Sequence, residues 1–109
     1  MRQVLPRRRH SVTIAAEFPR DTGREVAVTI GHHDDWSVGE VFINVDRKVG
    51  TDGDVAGRDI GILISFALQH GATPAQLAHA VTRDAEGRPE GLAGIVLEAV
   101  AAWQDEVRG

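Results

Sequence analysis

His32, His33, Asp34 and Asp35 follow one another along the chain, and imidazole nitrogens and carboxylate oxygens are good ligands for zinc or manganese. A small metal-dependent enzyme built on this run is one reading. Against it, four consecutive side chains splay along a turn, whereas a metal site normally draws its ligands from separate elements. Gly31, the two aspartates and Ser37 mark the segment as a hairpin connection with a solvated tip. That reading is preferred, and neither a metal nor any other cofactor is assigned. Approach of His10, His70 or His79 to the turn would favour the metal.

A second candidate lies between residues 46 and 54. Arg47 and Lys48 precede Gly50-Thr51-Asp52-Gly53-Asp54, and a helix follows. Glycine-bearing backbone ahead of a helix can turn N–H groups toward an anion, and the helix dipole favours negative charge there. Arg47, Lys48, Gly50, Thr51 and Gly53 are therefore the candidates for an anion- or nucleotide-binding loop. Asp52 and Asp54 oppose it, because they already complement the dipole and repel a second anion. No Lys-Ser/Thr pair opens the helix, so the P-loop pattern is absent, and a capped loop is the plainer alternative.

No catalytic residue is assigned. No serine sits in a glycine-flanked elbow, His79 lies alone on a short helix, and the paired carboxylates fall on turns and caps. The chain has no cysteine and no tyrosine. Disulfides, thiolate zinc sites, cysteine nucleophiles, thiyl radicals and tyrosyl chemistry are excluded together.

The elements that would position these residues follow from periodicity. Val12, Ile14, Ala16 and Phe18 alternate with Ser11, Thr13, Ala15 and Glu17, the pattern of a half-buried strand. Pro19 to Gly23 is a turn, and Glu25 to Ile30 is a second strand with Val26, Val28 and Ile30 on one side. Gly39 to Val45 is a third strand, with Val41, Ile43 and Val45 one way and Phe42 the other. Short connections predict an antiparallel meander. A helix is expected from about Val55 to His70, capped by Asp52 or Asp54 and stopped by Gly71. Ile60, Leu63, Ile64, Ala67 and Leu68 would form its main apolar face, with Ile62 and Phe66 as a second stripe. Thr73-Pro74 opens a short helix ending near Arg83. Glu90 to Val107 is the last, with Leu92, Ile95, Val96, Ala99, Val100, Trp103 and Val107 in one stripe. The expected fold is α+β: a three-stranded antiparallel β-meander followed by three helices packed on one face of the sheet.

With 109 residues the chain has room for one domain, and its core is small enough that association with a partner is expected. Residues 1–10 form a basic arm with Arg2, Arg7, Arg8 and Arg9 and no acid; residues 11–109 form the domain and carry all 16 Asp and Glu. One short arm and few aromatic platforms argue against nucleic-acid binding. No apolar run is long enough to span a bilayer, and the arm lacks the apolar stretch of a secretory signal, so no membrane role and a cytoplasmic address are expected. Two apolar stripes on one helix predict a homo-oligomer, with Ile62, Phe66 and Trp103 as interface candidates.

Leu5-Pro6-Arg7-Arg8-Arg9, Val28-Thr29-Ile30-Gly31, Asp34-Asp35, Gly39-Glu40-Val41-Phe42-Ile43, Lys48-Val49-Gly50 and Ile64-Ser65-Phe66-Ala67-Leu68-Gln69-His70-Gly71 occur in that order. Together they resemble the TSCPD domain, the C-terminal region of adenosylcobalamin-dependent (class II) ribonucleotide reductases. The resemblance covers about residues 5 to 85. It implies a place in nucleotide metabolism and DNA synthesis. The reductase reaction, however, needs a thiyl radical and a reducing cysteine pair in a large barrel, and this chain has neither the barrel nor any cysteine. The Thr-Ser-Cys-Pro-Asp motif that names the domain is missing as well. The expectation is a stand-alone module that regulates or docks to a reductase, or senses nucleotides, without reductase activity of its own. A metal enzyme on the His32 turn and a purely structural homo-oligomer are the alternatives.

Overall fold

The computed structural model describes residues 10–18, 25–45 and 52–109. Three strands come first: β1 (His10–Glu17), β2 (Glu25–His32) and β3 (Val38–Asn44). They pair antiparallel in the order β1-β2-β3. Register places Val12 opposite Ile30 and Ile14 opposite Val28, while Val28 and Ile30 face Ile43 and Val41. Alternation therefore collects these β-branched residues on one face. Ser11, Thr13, Ala15, Thr29 and Phe42 share the other.

Helices α1 (Asp52–Gln69), α2 (Pro74–Ala80) and α3 (Leu92–Arg108) complete the expected βββααα order. Ile64 and Leu68 of α1 join Val28, Ile30, Val41 and Ile43 in the core, together with Ala78 of α2 and Ile95, Val96, Leu97 and Val100 of α3. Gly71 takes a positive φ of 103° and stops α1, with its N–H returning to the Leu68 carbonyl at 3.2 Å. Thr73 closes a capping box: its hydroxyl accepts from Gln76 N–H, and the Gln76 side chain accepts from Thr73 N–H. Arg83 then ties the loop after α2 in place, donating to the carbonyls of Ala78 and Gly87 and meeting Glu98 of α3.

Several local expectations need correction. Helix α1 begins at Asp52, so neither Asp52 nor Asp54 is its N-cap, and Asp54 instead pairs with Arg58 at 2.9 Å. Leu63 does not face the core; it is 67% exposed. The core side of α1 runs through Gly57, Gly61, Ile64 and Leu68, where two glycines let the helix lie close on β3. A Cβ on Gly61 would stand 3.1 Å from the Val41 carbonyl oxygen. Helix α2 ends at Ala80 rather than near Arg83, because Val81 is already extended. Leu97, outside the expected α3 stripe, is buried. A Cβ on Gly94, one turn earlier, would meet Pro89 and Val81, so α3 is covered on that side as well.

Candidate functional site

Helix α1 lies along the outer edge of β3. Ser65 Oγ accepts a hydrogen bond from the Val41 N–H at 2.9 Å and donates to the Val41 carbonyl at 3.1 Å. The helix thus satisfies backbone groups that a fourth strand would otherwise pair. This attachment turns the opposite flank of α1 outward. Ile62 is 64% exposed, Phe66 57% and Phe42 of β3 53%. These three side chains line one groove of about 470 Å³, with Arg58 and Glu40 at its polar margin. Leu63 adds apolar area beside Ile62. His70 orients Phe66: their rings stack at 4.2 Å, and His70 Nδ1 is 2.8 Å from the Phe66 carbonyl. Contiguous exposed apolar surface of this kind is uncommon on the solvated face of a helix.

The histidine-rich turn is arranged differently from the expected solvated tip. His32 is the last residue of β2 and only 5% exposed, so it belongs to the sheet's covered face. Register puts His10 directly opposite it. The His32 ring stacks on His10 at 5.2 Å and on Trp36 at 4.6 Å, with Trp103 of α3 tilted against it at 5.6 Å. His32 Nδ1 lies 2.9 Å from the His33 carbonyl, and His10 Nε2 lies 3.0 Å from Asp34. Trp36 takes a left-handed φ of 69°, rare for a large side chain, to reach this stack. Asp35 accepts from both the hydroxyl and the N–H of Ser37, and these bonds hold its carboxyl below the usual aspartate range.

His10 does approach the turn, as the metal reading asked, but no group of three or more potential ligands forms among the described residues. The rings are spent on one another: they join β1, β2, the turn and α3. Trp103 is part of this cluster and packs against the core. It is therefore not in one patch with Ile62 and Phe66. Of the proposed anion loop, Arg47, Lys48, Gly50 and Thr51 lie outside the described residues, as does the arm up to Arg9, and Gly53 sits in the first turn of α1. Phe42 is absent from the sequence-based candidates, and His10 enters them only as a residue whose approach to the turn stays open. The strand alternation already turned Phe42 away from the core; the pairing of His10 needed the register.

A three-stranded antiparallel meander with its helices on one face, one edge sealed by a helix and an exposed apolar groove beside it, defines a small α+β domain. No helix among the described residues is long and apolar enough to cross a membrane. The chain belongs to the TSCPD domain family, whose model matches residues 2–102. This domain is associated with ribonucleotide reductases. No curated protein and no solved structure matches the chain. The donor set does not fit the radical chemistry that adenosylcobalamin serves in the reductase, since that chemistry runs through cysteine and the chain has none.

Proposed function

We propose that this chain is an association module for a ribonucleotide reductase, docking through the outer face of α1 and the adjoining Phe42, and that it reduces no ribonucleotide itself. The observation that carries this reading is the groove between α1 and β3, where Phe42, Ile62 and Phe66 stand exposed around one depression. Burying two aromatic rings and a branched aliphatic is the usual core of a protein interface, and Arg58 at the margin supplies a polar rim. Membership of a family associated with ribonucleotide reductases supports a reductase as the partner. Docking is preferred to nucleotide sensing because Phe42, Ile62 and Phe66 stand exposed together, whereas Asp52 and Asp54 beside the glycine-bearing loop oppose a second anion. The metal-enzyme alternative is weakened by the commitment of His10 and His32 to a ring stack.

Sedimentation of the labelled chain with a purified adenosylcobalamin-dependent reductase tests the proposal. The expected result is a complex that Phe66→Glu weakens about tenfold or more, as for a central interface aromatic. Absence of a complex, or a complex indifferent to Phe66→Glu and Ile62→Glu, would contradict it.

A further inference from the structure

Helix α1 is polarised along its length. Its charged residues Asp52, Asp54, Arg58 and Asp59 all fall in the first half, and the chain from Ile60 to His70 holds no acid, lysine or arginine. The side turned away from the core exposes Val55, Asp59, Ile62, Leu63, Phe66 and His70 in that order. Asp59 and Leu63 stand one turn apart, and so do Phe66 and His70. One face therefore carries acid and aliphatic, then aromatic and imidazole, at equal spacing.

Whatever covers this face must satisfy its own backbone. The helix already occupies the edge of β3: Ser65 holds the N–H and carbonyl of Val41, and a Cβ on Gly61 would stand 3.5 Å from the Ile43 nitrogen. An extended segment laid over α1 would meet side chains only, and its N–H and C=O groups would lose water without gaining partners. A helix carries no such cost, because its backbone bonds are internal.

We infer that α1 pairs antiparallel with α1 of a second copy, about a two-fold axis level with Ile64 and Ser65, and that this pairing and reductase docking exclude one another. Setting Leu63 on Phe66 of the second copy also sets Asp59 beside its His70, since both steps are one turn, and the two-fold axis repeats each contact. Ile62 packs diagonally on the same Phe66. His70 Nδ1 lies 2.8 Å from the Phe66 carbonyl and is the donor to it, so Nε2 is the nitrogen that meets the carboxylate. A protonated ring donates its Nε2–H there. A parallel pair would instead bring Asp59 against Asp59. This charge complementarity between the two ends of one helix face favours a second copy over an unrelated helix. Phe66 cannot serve two partners at once; the exclusion therefore rests on the docking reading, whereas the pairing does not.

Sedimentation equilibrium from micromolar to millimolar concentration, at about pH 6 where imidazole ordinarily carries a proton, tests the inference. The wild-type chain is expected to approach twice the monomer mass. Phe66→Glu changes a side chain that is 57% exposed, so it should stay folded and remain monomeric. Asp59→Lys should weaken association about fivefold, as for two exposed ion pairs, and adding His70→Asp should restore it. The chain has no cysteine, so Val55→Cys carries a nitroxide at one defined place. Mixed with isotope-labelled wild type, it should broaden the amides from His70 to Thr73 more than those from Asp54 to Asp59. An added adenosylcobalamin-dependent reductase should take up single chains at the expense of the dimer. A chain that stays monomeric at millimolar concentration overturns the pairing, as does a dimer indifferent to Phe66→Glu or one whose broadening centres on Asp54 to Asp59. A reductase complex that retains the dimer overturns the exclusion. A Phe66-dependent dimer that meets no reductase supports the pairing and removes the docking reading instead.

Discussion

Ser65 holds Val41 by both of its outward backbone groups, and these two bonds fasten α1 to the edge of β3. The helix seals an edge that would otherwise invite a fourth strand, and in doing so it presents Ile62 and Phe66 to solvent beside Phe42. Sheet protection and the exposed groove are two consequences of the same contact.

Ser65→Ala leaves the Val41 N–H and carbonyl part-buried without their partner. The expected loss is about 1–3 kcal/mol, the penalty for stranding buried polar groups. Urea unfolding should show a lower midpoint with an unchanged slope. Wild-type stability in this variant would mean that water reaches the edge and that the helix is held by its apolar contacts alone.

Gly61→Val tests the close approach directly. A Cβ at this position already stands 3.1 Å from the Val41 oxygen and 3.5 Å from the Ile43 nitrogen, both backbone atoms with little room to yield. Overpacking of this kind costs roughly 1–3 kcal/mol. Amide hydrogen exchange should accelerate along β3 and α1 before it does in α3. Uniform exchange across all elements would contradict a local displacement.

How far the sequence carries is clear from particular residues. Alternation at Val41, Phe42 and Ile43 was sufficient to find β3 and its two faces, and Thr73-Pro74 marked the start of α2. The orientation of α1 was not legible in the same way. Leu63 is the more hydrophobic choice for a core face, but the helix meets a strand edge, and what fits there is small: Gly57, Gly61 and Ser65. Apolar periodicity registers large side chains and overlooks the glycines that allow contact. His32 looks like a turn residue in the sequence because β2 continues two residues past its last β-branched side chain. Its partners His10 and Trp103 are brought to it by register and by packing, which no local pattern contains.

His32→Ala should loosen the turn from the rest of the fold. The ring makes three aromatic contacts, and such contacts are worth about 0.5–1.5 kcal/mol each beyond area burial. The measurement is thermal unfolding followed by tryptophan fluorescence. A lower midpoint is expected, with red-shifted emission in the folded state as Trp36 loses its stacking partner. Unchanged emission would show that Trp36 is held by other contacts.

The pH dependence of the turn has a definite sign. Hydrogen bonds from the Ser37 hydroxyl and N–H lower the folded-state pKa of Asp35. The stabilisation is thus present in full above the unfolded value of about 3.9 and is lost as pH falls through the lower, folded value. An NMR titration of the Ser37 amide should report this transition below the ordinary aspartate range. Ser37→Ala should move it upward. A midpoint unaffected by that substitution would rule out the Ser37 hydroxyl as a cause and leave the backbone N–H.

The central claim is that the outer face of α1 docks to a reductase. Amide and methyl NMR spectra of the isotope-labelled chain, titrated with a purified adenosylcobalamin-dependent reductase, test it most directly. Broadening or shifts confined to Phe42, Arg58, Ile62, Leu63, Phe66 and their neighbours are the predicted result, with β1 and the His32 stack unaffected. Spectra that do not change, or changes centred on the His10–His32–Trp36 stack and absent from α1, would contradict it.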